Sequence, residues 1–158
     1  MNLMKHLYVL LPAFMIITIT GSCKKSVNEI EKKHLMTAID LAKVSHNIHW
    51  IVILPGLGCN GCIQEAEVFM RDHIKNTEIL FVLTKISSLK ILQQKIGVQI
   101  REYPNVYIDM KNEFDIPTDN SIYPCIVQLE DGKMVKHEFQ SPQNGDAFRK
   151  LKNLVLAQ

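Results

Sequence analysis

Basic residues never run longer than two in this 158-residue chain, and 18 basic against 16 acidic residues leave a formal charge of only +2. The clustered positive face of a nucleic-acid binder is therefore missing. Cysteine is scarce too. Four residues are too few for a disulfide-stapled miniprotein, so each must be read by its position. No internal repeat, low-complexity tract or Pro/Gly-rich linker interrupts the chain. Hydrophobic residues make up 47% and charged residues 22%, a balance that excludes an acidic disordered tail, a collagen-like repeat and a polytopic membrane protein. The length suits one domain of ordinary size.

The first residues read as processing signal, not fold. Lys5 supplies a short positive region, and Leu7 to Ile19 form an apolar stretch interrupted only by Pro12 and Thr18. Such a stretch matches a signal-peptide core and is too short to span a hydrocarbon layer of ~30 Å. Thr20-Gly21-Ser22 then lead into Cys23, followed by Lys24 and Lys25. Small residues directly before a cysteine resemble a bacterial lipobox. That resemblance implies cleavage after Ser22, lipidation of Cys23 and a polar tether over 23–29 ahead of a domain spanning 30–158. It also implies a location in the cell envelope, facing the periplasm, with the membrane serving as an anchor. An ordinary cleaved signal with a chance cysteine is the alternative.

Apolar residues from Val27 to Val44 follow helical spacing. Trp50 to Leu54 form an unbroken apolar run ended by Pro55, the pattern of a central strand buried on both faces. Ile63, Ala66, Phe69, Met70 and Ile74 mark one face of a second helix, and Ile79 to Leu83 mark a second buried strand. Ser87 or Ser88 can cap a third helix that stops at Gly97. Val106, Ile108 and Met110 alternate with polar partners as in a half-buried strand. Ile122 to Leu129 and Met134 to Phe139 flank the hairpin signal Asp131-Gly132. Asp146 to Leu156 closes the chain as a helix with Phe148, Leu151, Leu154 and Val155 inward. The order α-β-α-β-α-β-β-β-α implies an α/β fold: a mixed central sheet with helices on both faces.

The segment that carries chemistry runs from Leu54 to Glu65. A buried strand ends, a glycine-rich turn follows, and Cys59 opens a helix with Cys62 one turn on. This spacing puts both sulfurs within disulfide reach. Unpaired N–H groups and the helix dipole favour a thiolate at Cys59, whose free pKa would be about 8.5. Cys59 is thus the candidate nucleophile and Cys62 the resolving thiol. Two alternatives stand beside this reading: a static structural disulfide, and a metal site. A structural metal site needs two more ligands, and His73 lies too far along the same helix. A c-type haem site would need histidine where Ile63 stands. His46, His49, His137 and Trp50 join no ligand pattern and default to surface or packing roles.

Here the chain resembles the thioredoxin-like superfamily, in particular exported bacterial thioredoxin- or redoxin-domain lipoproteins. The resemblance covers about residues 35–156. It rests on the strand leading into Cys59-Asn60-Gly61-Cys62 and on Ser121-Ile122-Tyr123-Pro124 before the Asp131-Gly132 hairpin. It implies a cis bond before Pro124, which would face the cysteine pair, and a Tyr123 backbone open to an extended substrate. It implies thiol–disulfide exchange with protein substrates, fed by an upstream reductant and needing no metal or organic cofactor. Three positions depart from the pattern. Gly58 stands where thioredoxins carry tryptophan. Ile53 stands where they carry a buried acid that accepts the second thiol's proton. Gly56 stands where peroxidase relatives carry threonine, which weighs against the rival reading of a thiol peroxidase. A non-catalytic binding domain is the other rival. Glu65, Lys85 and Cys125 are auxiliary candidates: Glu65 as proton acceptor, Lys85 as support for a thiolate, and Cys125 as a third thiol. Solvated or packing roles are the alternative for each.

Overall fold

The computed structural model describes residues 26–157. The leader, Cys23 and the first tether residues lie outside them. Four helices and five strands follow one another as α1 (Val27–Leu41), β1 (Trp50–Pro55), α2 (Asn60–His73), β2 (Ile79–Thr84), α3 (Leu89–Ile96), β3 (Val106–Asp109), β4 (Cys125–Glu130), β5 (Lys133–Phe139) and α4 (Ala147–Leu156). The strands make one mixed sheet in the order β3-β2-β1-β4-β5. β1, β2 and β3 run parallel, and β4 and β5 run antiparallel to their neighbours. This is the expected α/β architecture.

The apolar run of β1 sits at the centre because every one of its six residues is buried. Alternation sends its side chains to two cores. Trp50, Val52 and Leu54 meet Ala66, Phe69 and Met70 of α2, Leu92 and Ile96 of α3, and Phe148 and Leu151 of α4. Ile51 and Ile53 meet Leu35, Ala38 and Ile39 of α1, together with Phe114 and Ile116. Helices therefore cover both faces. Full burial of each such aliphatic side chain stabilises by about 1.5–3 kcal/mol, so the central strand anchors both layers.

Local signals end the elements where the chain chemistry predicts. Ser88 caps α3 by accepting the Ile91 N–H at 3.3 Å, and Gly97 ends it in the left-handed region at φ 72°. Asp131 and Gly132 both have positive φ, 51° and 75°, which is what a two-residue hairpin turn needs.

α1 starts at Val27, where the helical spacing begins, behind a capping box of Ser26 and Glu29; four expectations are corrected. Its apolar face begins only at Leu35: Val27 and Ile30 are exposed and Glu31 is buried. Met110 lies outside β3 and is 83% exposed, because β3 ends at Asp109, whose buried carboxylate takes the N–H groups of Glu113 and Phe114 at 2.9 and 2.8 Å. β4 starts at Cys125 and not at Ile122, since Asp119–Ile122 form a 3-10 turn; in α4, Leu154 is exposed. Among the described residues no helix is long and apolar enough to cross a membrane.

Candidate functional site

The sheet register explains why distant segments meet. Pro55 at the end of β1 pairs with Thr84 at the end of β2, and Thr84 pairs with Asp109 at the end of β3. β4 runs the other way, so its first residue, Cys125, pairs with Ile53 near the same edge. The turn leaving β1 and the segment entering β4 are thereby placed side by side. Cys59 and Cys62 follow that turn, and Tyr123 and Pro124 belong to that segment.

Cys59 is the N-cap of α2 and is half-buried; Cys62, in the first turn, is 7% exposed. The two are joined as a disulfide, with Cα atoms 5.3 Å apart. No acidic residue stands in the first turn of α2, while Arg71 and His73 occupy the last. The first feature leaves the positive end of the helix dipole, beside Cys59, without a compensating charge. Cys59 is the more accessible of the two sulfur-bearing residues and Cys62 the shielded one.

Two glycines shape the turn by close approach. A Cβ on Gly56 would lie 2.7 Å from the Lys85 carbonyl carbon and 2.9 Å from Ile86 Cα. A Cβ on Gly58, whose φ is 149°, would lie 2.8 Å from both Cα and the carbonyl carbon of Ile122. Gly58 is thus the point where the cysteine turn touches the 118–123 segment. Next to it, the Cys59 N–H donates to the Ile122 carbonyl at 3.0 Å.

The Tyr123–Pro124 peptide is trans, which corrects the expected cis bond: among the described residues there is no cis peptide. Tyr123 is extended at φ −107° and ψ 143°, the conformation a following proline favours. The chain leaves the 3-10 turn already aimed along β4, so no reversal is required before Pro124. The Tyr123 N–H donates to the Asn120 carbonyl at 3.0 Å. That N–H is therefore engaged within the turn, whereas the resemblance implied an open Tyr123 backbone.

The auxiliary candidates have partners of their own. Glu65 accepts a hydrogen bond from the side-chain amide of Gln140, a residue 2% exposed. Gln140 also receives the Phe148 N–H on its oxygen at 3.3 Å, and its backbone N–H reaches the Pro124 carbonyl at 2.9 Å. Glu65 therefore helps hold the entry of β4. Lys85 follows β2 and pairs with Asp115 at 2.6 Å. Cys125 is 0% exposed beside Ile53, and burial, with the charges of Glu31 and Glu138, raises its pKa well above the usual thiol value. It packs as an un-ionised thiol. Ile53 is its cross-strand partner. His73 stacks on Phe69 at 4.4 Å, and burial, partly offset by Asp72, holds its pKa below the ordinary value.

Beside Asn60 a groove of about 250 Å³ opens between α2 and α3, with Pro55, Ile63, Ser88 and Ile91 on its walls. Among the described residues no group of three or more His, Cys, Asp or Glu side chains gathers as metal ligands.

One cluster has no counterpart in the sequence reading. Glu31, 3% exposed, takes hydrogen bonds on Oε1 from the Thr118 hydroxyl at 2.7 Å and the Asn120 amide at 2.8 Å. Its Oε2 lies 3.0 Å from Nε2 of His137. Burial alone would raise the Glu31 pKa, but the bonds from Thr118, His137 and Asn120 and the charge of His137 bring it below the ordinary value. A single glutamate on a helix carries no signal of this. Its partners come from 87, 89 and 106 residues further along the chain. Comparison of the chain with protein-family models, with curated proteins and with solved structures finds no match.

Proposed function

We propose that this protein is a thiol–disulfide oxidoreductase of thioredoxin-like fold, with Cys59 as nucleophile and Cys62 as resolving thiol. The observation that carries the reading is the disulfide at the start of α2, with one half-buried and one buried sulfur, against the segment that enters β4. The Cys59 thiolate attacks a substrate disulfide. A Cys59–substrate bond forms, and the second substrate sulfur leaves as thiolate and takes a proton. The Cys62 thiolate then attacks Cys59, closing the intramolecular disulfide and releasing the reduced substrate. Two electrons pass from the dithiol to the substrate, and an upstream dithiol must restore them. With Ile53 in the acid's place, water is the acceptor for the Cys62 proton. A threonine-dependent peroxidase is disfavoured because the backbone of Lys85 and Ile86 leaves no room for a side chain at position 56.

The test is reduction of a protein disulfide by dithiothreitol. The full-length protein should accelerate it catalytically, and Cys59→Ser should fall to the uncatalysed rate. Equal rates with and without the protein would leave the disulfide as a structural staple.

The anchor belongs to the same proposal. Cys23 carries the lipid, and the domain faces the periplasm from its membrane. One acyl chain binds only marginally, so stable anchoring calls for a multiply acylated cysteine. Cys23→Ser should shift the protein from the membrane fraction to the soluble one, or leave an unprocessed precursor. Unchanged fractionation and migration would show that Cys23 is not the anchor.

A further inference from the structure

We infer that Glu31 is a positioning residue for the redox site: through Thr118 and Asn120 it holds the 118–123 segment so that the Ile122 carbonyl retains the Cys59 N–H. The inference rests on the thiol–disulfide reading and adds to it a residue from outside the cysteine motif.

The connection can be followed bond by bond. Glu31 sits in α1, on the sheet face opposite α2. Its Oε1 receives both loop donors, Thr118 and Asn120. Thr118 is also the N-cap of the 3-10 turn and receives the Asn120 N–H at 3.3 Å. The same turn is closed by Ser121 N–H to the Thr118 carbonyl and by Tyr123 N–H to the Asn120 carbonyl, both at 3.0 Å. The residue between those two donors is Ile122, whose carbonyl receives the Cys59 N–H. Few torsions stand between the buried carboxylate and the nucleophile's backbone. A carboxylate accepts only, so Nε2 of His137 donates to it and β5 braces it from behind. Thr118 and Asn120, half-buried, and the buried His137 side chain converge on the buried carboxylate, and leaving that group unmatched is costly. The turn therefore has one strongly preferred seat.

The role requires an acceptor of the right reach and not a charge. Glutamine can supply it: its oxygen can take both loop donors, and its amide can face His137 in the other tautomer. Glu31→Gln should therefore keep the site intact, while Glu31→Ala releases the turn. Hydrogen exchange of the reduced protein reads this directly. In Glu31→Ala the Cys59 amide should exchange at least about tenfold faster relative to the amides of Val52 and Phe81, as expected for loss of a protecting bond. Catalysed disulfide reduction should fall by a similar factor, with both measures restored in Glu31→Gln. The double variant Thr118→Val/Asn120→Ala approaches from the loop side and should reproduce Glu31→Ala, which covers the case where Glu31→Ala does not fold.

Unchanged Cys59 exchange in the folded variants would overturn the inference, as would Glu31→Gln failing as fully as Glu31→Ala. Wild-type protein inactive in disulfide reduction, but with the same pattern of amide exchange, would sink the oxidoreductase reading and leave the positioning contact standing.

Discussion

Cys62→Ser should accumulate covalent complexes between Cys59 and its substrates. The resolving step needs a thiolate at position 62, and a serine hydroxyl does not displace a disulfide sulfur at neutral pH. Once Cys59 has attacked, the mixed disulfide persists. Cys59→Ser should trap far less, because Cys62 is 7% exposed and lies inside the helix rather than at its cap. Recovery of each variant from cells on a non-reducing gel, followed by reduction and mass identification of released partners, checks this. Turnover of both variants in disulfide reduction should drop to background, so the two differ in trapping and not in rate. Adducts with Cys59→Ser equal to those with Cys62→Ser would reverse the assigned roles. Their absence from both would favour a domain that binds without exchange.

Gly58→Ala should be the most damaging single change near the site that leaves both cysteines in place. Two effects add. The φ of 149° belongs to a region that L side chains rarely adopt, at a cost of order 1–3 kcal/mol. The added methyl would also overlap the Ile122 backbone, which cannot swing away as a side-chain tip would. The 118–123 segment or the cysteine turn must then move, and the Cys59 N–H to Ile122 bond is broken. Thermal unfolding should drop by on the order of 10 °C, taking roughly 2–4 °C per kcal/mol for a chain of this size. The rate of Cys59 alkylation in the reduced protein should change alongside. Gly61→Ala is the control. No atom lies within 4 Å of a Cβ there, and alanine is a better helix residue than glycine, so that variant should be as stable as wild type or slightly more so. A Gly58→Ala protein with unchanged unfolding temperature and alkylation rate would mean that the turn and the 118–123 segment are not in contact in solution.

These contacts also separate what short-range order in the chain sufficed for from what needed the assembled fold. The central strand, the helix opening at Cys59 and the cysteine spacing are local properties: an apolar run, a breaker at Pro55 and a repeat of one helical turn. Each can be read because burial imposes its period on neighbouring residues. The Asp131-Gly132 turn and the Ser88 and Gly97 caps are legible for the same reason, since each motif closes hydrogen bonds within a few residues. Element order then sufficed for the α/β class and the mixed sheet. Boundaries that depend on distant partners came out differently. β3 stops where the Asp109 carboxylate finds two N–H groups, and α1 turns a glutamate inward where periodicity would have placed Ile30. Glu31 reads as a solvated helix residue until His137, Thr118 and Asn120 surround it. A charged group is stable in the interior only when such partners arrive, and they are scattered along the chain. Gly58 likewise reads as a flexible turn residue until Ile122 lies against it. Pairing of β4 antiparallel to β1 makes both meetings possible, because it returns the 118–124 segment to the edge where Cys59 emerges. Sequence separation hides such contacts, and only the closed sheet brings them within bonding distance.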